Sequence, residues 1–120
     1  MILIYLSVIK DWDVSNSDSH LVGGMTYKDG KLTVPLSGRY YIYAQIYYLN
    51  NGRVHVRVNN KVVTMVQPRV KGSDQGTSYV GGVFNLKTDD VITLDTNIWP
   101  VSTVKIFMSS SHTYFGAFLT

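Results

Sequence analysis

Cysteine and glutamate are both absent from the 120 residues, and alanine occurs only at Ala44 and Ala117. Without cysteine there is no disulfide framework and no thiolate metal site, whichever compartment the chain occupies. The loss of Glu and near-loss of Ala removes two of the strongest helix formers. Val, Ile, Thr and Tyr stand in their place, and these fit a pleated sheet. There is no basic run either. The lysines are scattered at Lys10, Lys28, Lys31, Lys61, Lys71, Lys87 and Lys105, so a pI near 9.2 reads as a solvated surface, and no nucleic-acid partner is expected. The apolar stretch from Met1 to Ile9 is too short to span a bilayer. It has no basic start and leads into Lys10-Asp11, which is unlike a secretory signal. It reads either as a buried strand or as the tail end of an anchor or exon.

What is present points to one all-β domain. The length suits a single core, and 45% hydrophobic residues is ordinary for a globular chain. Nine Tyr stand against four Phe and two Trp, and Tyr suits half-buried surfaces and interfaces. Turn signals divide the chain into short strands. Lys31–Pro35 follows Lys28-Asp29-Gly30, and Arg39–Tyr48 follows Ser37-Gly38. Arg53–Val58 follows Asn50-Asn51-Gly52, and Val62–Val66 follows Asn59-Asn60. Ser78–Leu86 follows the loop Lys71–Gly76, Val91–Thr96 follows Thr88-Asp89-Asp90, and Thr113–Leu119 closes the chain. Such even spacing is the signature of a sandwich or jelly roll.

Alternation adds detail. Val54, Val56 and Val58 share one face of their strand, and Arg53, His55 and Arg57 share the other, which reads as a solvated basic face. The strand from Tyr40 to Tyr48 differs. Ile42, Ala44 and Ile46 form a normal core row, but Tyr41, Tyr43, Gln45 and Tyr47 occupy the face where water is expected. Either a second subunit covers that face, or the tyrosines make cross-strand contacts on an exposed sheet.

No constellation for catalysis is present. His20, His55 and His112 have no metal-ligand spacing. There is no Gly-x-Ser-x-Gly elbow and no phosphate-cradling glycine loop. Asp89-Asp90 fits a turn that bonds its own backbone. Asp11, Asp13, Ser15 and Ser17 have the oxygen spacing that opens a calcium loop, but the sixth position is Asn16 and the twelfth is Val22, so the stretch reads as a polar loop. No enzyme activity, metal or cofactor is expected.

Four segments together resemble the tumour necrosis factor (TNF) ligand superfamily. They are Leu32-Thr-Val-Pro35, Gly38-Arg-Tyr-Tyr-Ile-Tyr-Ala-Gln-Ile-Tyr-Tyr48, Tyr79-Val-Gly-Gly-Val-Phe-Asn-Leu86 and His112-Thr-Tyr-Phe-Gly-Ala-Phe118. The Asp11-Trp12 pair and the short connection Asn59-Asn60-Lys61 are similar to the ectodysplasin-like and invertebrate branch. The resemblance runs from about Val8 to Thr120. It implies one TNF-like jelly-roll domain over residues 1–120 that is N-terminally short of the family's first strand. Ile2–Ile9 would then be a replacement strand, or the chain a truncated product.

The resemblance further implies a threefold trimer whose ring of heterologous contacts closes on itself. Tyr43, Tyr79 and Tyr114 match the family's aromatic positions around the axis, and Tyr41, Gly81, Val83, Gly116 and Phe118 fall on the same faces by period two. Gly81 would permit close approach at the axis. Phe84, Leu86, Phe115, Ala117 and Leu119 would point into the sandwich. The implied function is a cytokine-like ligand that clusters TNF-receptor-type, cysteine-rich receptors outside the cell. The protein would be secreted or a cell-surface ectodomain, meeting a membrane only through an upstream anchor not present in this chain. Receptor contacts are expected in grooves between subunits, at Asn59, Asn60, Lys61, Arg69, Lys71 and Trp99. A C1q-like trimeric recognition domain with varied surface targets is the alternative; a jelly-roll enzyme or lectin lacks a site.

Overall fold

The computed structural model describes residues 2–5, 25–48, 54–66, 76–96, 104–107 and 113–120. These form ten strands: β1 (Ile2–Tyr5), β2 (Thr26–Lys28), β3 (Lys31–Thr33), β4 (Gly38–Tyr48), β5 (Val54–Val58), β6 (Lys61–Val66), β7 (Gly76–Leu86), β8 (Val91–Asp95), β9 (Val104–Phe107) and β10 (Tyr114–Leu119). All pairings are antiparallel, in two five-stranded sheets. The first runs β1-β9-β4-β10, with β7 also paired to β4; the second runs β2-β3-β8-β5-β6. No helix among the described residues is long and apolar enough to cross a membrane.

Turn chemistry explains two of the hairpins. Asp29 and Gly30 have φ of 50° and 82°, and Asn59 and Asn60 have φ of 50° and 71°. Two central residues with positive φ define the tight turn whose twist matches that of paired strands, and Asp, Asn and Gly tolerate it best. The registers Lys28↔Lys31 and Val58↔Lys61 follow directly.

The core lies between the sheets. Tyr40, Ile42, Ala44 and Ile46 of β4 meet Val54 and Val56 of β5, Ile92 and Leu94 of β8, Leu86 of β7, and Phe115 and Ala117 of β10. Tyr40 satisfies its hydroxyl by donating to the Leu36 carbonyl at 2.7 Å. Phe84 packs against this core from a partly buried position. Three expectations change. Leu119 does not enter the core: it is half exposed, at the sandwich end, with a methyl against Gly38. Short strands β2 and β9 were not expected. The outer face of β5 is not simply solvated, because His55 and Arg57 lie half-buried beside the buried carboxylate of Asp95. Arg57 Nε approaches Asp95 Oδ2 at 2.6 Å, and His55 Nδ1 lies 3.9 Å from Oδ1.

One end of the sandwich is clasped by three turns. The β3–β4 and β7–β8 connections both cross between sheets, and they bond each other. Val34 N–H donates to the Asp90 carbonyl at 2.9 Å, and Asp89 N–H donates to the Val34 carbonyl at 2.8 Å. Ser37 and Thr88 exchange bonds, each backbone N–H donating to the other's hydroxyl at 3.1 and 3.0 Å. Asn59 brings in the third turn. Its Nδ2 donates to Asp90 Oδ1 at 2.8 Å, and its Oδ1 accepts from Val91 N–H at 2.9 Å. Asp90 Oδ2 accepts from the Lys87 N–H at 2.8 Å.

The Lys87 N–H, then the Asn59 amide, hold the Asp90 carboxyl below its ordinary value of 3.8. A lowered folded value means that the carboxylate's contribution is present above pH 3.8 and is lost as pH falls below it. Asn59→Ala is therefore expected to cost about 2 kcal/mol in urea denaturation at neutral pH, through two lost bonds and a non-Gly residue left at positive φ. Repeating the denaturation near pH 3 should show a smaller difference between the two proteins.

Candidate functional site

The outer face of β10, β4 and β7 assembles as three cross-strand rows, set by two registers. Gln45 lies between Tyr114 and Tyr79, Tyr43 between Gly116 and Gly81, and Tyr41 between Phe118 and Val83. All eight residues expected at a trimer interface therefore share one patch, with Gln45 as a ninth position. Pleating explains why: each sits two residues from the next on its strand, and the intervening residues face the core.

The rings interact within the subunit. Tyr41 and Phe118 centroids lie 5.4 Å apart, and Tyr43 lies 6.4 Å from Phe118 and 6.3 Å from Tyr41. Tyr43 meets Tyr114 edge-on at 6.3 Å. Such pairs add roughly 0.5–1.5 kcal/mol each beyond area burial. The Tyr41 and Tyr79 hydroxyls hydrogen-bond at 2.9 Å, and the Tyr114 hydroxyl donates to Gln45 Oε1 at 3.3 Å. Even so, Tyr79 stays 53% exposed, Val83 54% and Phe118 50%.

The two glycines have a role within the subunit. A methyl group at Gly81 would lie 2.6 Å from Tyr41 Cζ and closer still to its hydroxyl. At Gly116 it would lie 2.7 Å from Tyr43 Cζ. Each glycine is thus a slot filled by a tyrosine of the same subunit. A Cβ at either position displaces a ring.

Of the expected receptor contacts, Asn59, Asn60 and Lys61 form the exposed β5–β6 turn. Asn59 has both side-chain atoms committed to Asp90 and Val91. Arg69, Lys71 and Trp99 lie outside the described residues, as do His20, His112 and the polar loop from Asp11 to Ser17. Among the described residues no group of three or more His, Cys, Asp or Glu could hold a metal. The Asp95–Arg57–His55 cluster was not anticipated. Its sequence signal was Asp95 in the outward row of β8, legible only once β8 is known to neighbour β5.

Partial desolvation, then the bond to Tyr41 and the nearby Tyr41, Tyr114 and Tyr43 hydroxyls, push the Tyr79 phenol up to about 12. A raised folded value means that stability from this group is fully present below the ordinary value of 10.0 and is lost as pH rises toward 12. In a titration followed by NMR of ring-labelled tyrosine, Tyr79 should titrate later than free tyrosine, and Tyr41→Phe should bring it back down. Gly81→Ala should do the same by expelling the Tyr41 ring, and should cost about 1–3 kcal/mol as an overpacked site.

The tumour necrosis factor family model matches residues 10–75, more than half of the chain. Mouse tumor necrosis factor ligand superfamily member 6 is 27% identical over 128 residues, covering 93% of this chain and 44% of that protein. Rat tumor necrosis factor is 26% identical over 111 residues, covering 73% and 47%. The chain spans about half the length of the curated relatives it matches. Among solved structures, the Eiger TNF of S. frugiperda superposes with a TM-score of 0.64 at 14% identity, covering 98% of this chain and 90% of that one. Murine APRIL gives 0.63 at 19% identity, covering 79% and 76%. These likenesses show that the two sheets form the TNF-like jelly roll. Since the family match takes in all of β4, the strand on which the aromatic patch is built, the fold and the sequence agree: the chain belongs to the tumour necrosis factor family.

Proposed function

We propose that the chain is a trimeric, cytokine-like ligand that acts outside the cell by gathering TNF-receptor-type, cysteine-rich receptors. One observation carries this reading. The β10-β4-β7 face is already ordered within one subunit, yet it leaves Tyr79, Val83 and Phe118 half exposed on that one face. A contiguous apolar patch of this kind needs a cover, and further copies of the same face supply one. Threefold closure then presents equivalent clefts between subunits, so receptor engagement is multivalent. Family membership supports the ligand reading over the C1q-like alternative, and it favours binding over catalysis. Asn60 and Lys61 at the exposed β5–β6 turn, with Arg69, Lys71 and Trp99, are the proposed receptor contacts. Asn59 acts through the turn it holds.

Light scattering of the purified domain at micromolar concentration should give three times the 13.5 kDa monomer mass. Val83→Arg places a charge on the exposed patch without touching the core. It should leave a folded monomer, visible as unchanged circular dichroism at one third of the mass. On receptor-bearing cells that monomer should bind at least about a hundredfold more weakly than the trimer, because it loses both the clefts between subunits and the multivalency. A wild-type protein that runs as a monomer, or a Val83→Arg protein that stays trimeric, would overturn the interface assignment.

A further inference from the structure

The second sheet gathers cations that look scattered in the sequence. Lys28 and Lys31 are exposed and directly opposite across the β2–β3 turn. The register of β3 with β8 pairs Leu32 with Ile92 and Thr33 with Val91, so continuing it by one residue sets Lys31 beside Thr93. Thr93 in turn pairs with Arg57 of β5. Lys28, Lys31, Thr93 and Arg57 therefore form one row on the outer face. Like charges directly opposite each other on a sheet repel. Neither lysine has an ion-pair partner among the described residues.

Thr93 is the short member of that row, standing between two long side chains. A pocket of about 280 Å³ opens there, lined by Lys31, Asn59, Asn60, Val91 and Thr93. Its wall is held in place. Asp95 fixes Arg57 through the 2.6 Å contact, and Arg57 Nη1 donates to the Asn60 carbonyl at 2.9 Å. Asn59 is fully used by Asp90 and Val91, and Asp90 has both carboxylate oxygens engaged. Three donors remain: the Lys31 ammonium, the Asn60 side-chain amide and the hydroxyl of Thr93, a residue only 7% exposed. None has a hydrogen-bond partner among the described residues.

We propose that this pocket binds a carboxylate. Three donors around a concave floor suit an oxyanion. The charge favours a monoanion, because Asp95 offsets Arg57 and leaves Lys31 as the one uncompensated cation lining the pocket. The carboxylate comes either from an acidic side chain of a protein partner or from a small free acid. The inference is independent of trimer assembly, since the pocket lies on the sheet opposite the aromatic patch; it shares Asn60 with the proposed receptor contacts, but its test uses no receptor.

The test is a ¹⁵N-NMR titration of the full chain with three probes at matched ionic strength. They are a Gly-Glu-Gly peptide capped at both ends, butyrate as the free equivalent of its side chain, and inorganic phosphate. Saturable shifts at Asn60, Val91 and Thr93 are expected with a carboxylate, and the capped Gly-Gln-Gly peptide should give none. Lys31→Met, at an exposed position, should weaken binding by about tenfold, the scale of one charge-assisted hydrogen bond. Thr93→Val, which keeps the shape, should weaken it without loss of stability. Tighter binding of the peptide than of butyrate assigns the site to a protein partner; the reverse assigns it to a free acid. No saturation with either carboxylate, unchanged binding in Lys31→Met, or tighter binding of phosphate than of butyrate would each overturn the proposal.

Discussion

Strand β4 carries large apolar side chains on both faces, and a slip of its pairing by one residue would exchange them. Tyr40, Ile42, Ala44 and Ile46 would leave the core, and Tyr41, Tyr43 and Tyr47 would be driven into a space packed for smaller groups. Register is strongly specified wherever the two faces differ in this way. Here the penalty is repeated on β7 and β10, which pair with β4 over most or all of their lengths. The aromatic patch inherits its geometry from that constraint. Its three rows exist because two registers are held at once.

The sandwich end depends on a different kind of interaction. Two connections that cross between the sheets would each leave backbone groups without ladder partners. They solve this by bonding each other, through Val34 with Asp89 and Asp90, and through the Ser37–Thr88 exchange. Asn59 adds a third segment to the clasp from a backbone conformation that few residues adopt. The β5–β6 turn is therefore a fixed platform. Its exposed neighbours, Asn60 and Lys61, and the adjoining pocket are presented from rigid backbone, which lowers the ordering cost of any partner's binding.

Much of this was legible in the sequence because it rests on period and turn chemistry. The two-faced pattern of β4, the Asp-Gly and Asn-Asn turns and the strands around them all have local signatures, and the eight patch residues follow from period two once the family motifs place the strands. What was not legible depends on neighbours distant in sequence. Strands β2 and β9 have three and four residues, too few to show alternation. Leu119 continues the inward row of β10 but stays half exposed, beside Gly38 at the start of β4. Arg57 and His55 read as solvated until β8 brings Asp95 beside them. Lys28, Lys31 and Arg57 look dispersed until the strand order lines them up.

The glycine slots also bear on how such a face can change over generations. Bulk at position 41 requires its absence at position 81, and position 43 stands in the same relation to 116. Neither member can enlarge while the other is retained. Trading the large residue from one strand to the other would need two substitutions, and each single step passes through a protein with either a clash or a hole. The four positions are thus expected to vary as linked pairs. The aromatic pattern of the face should drift far more slowly than the loops around it, whatever partner those loops come to serve.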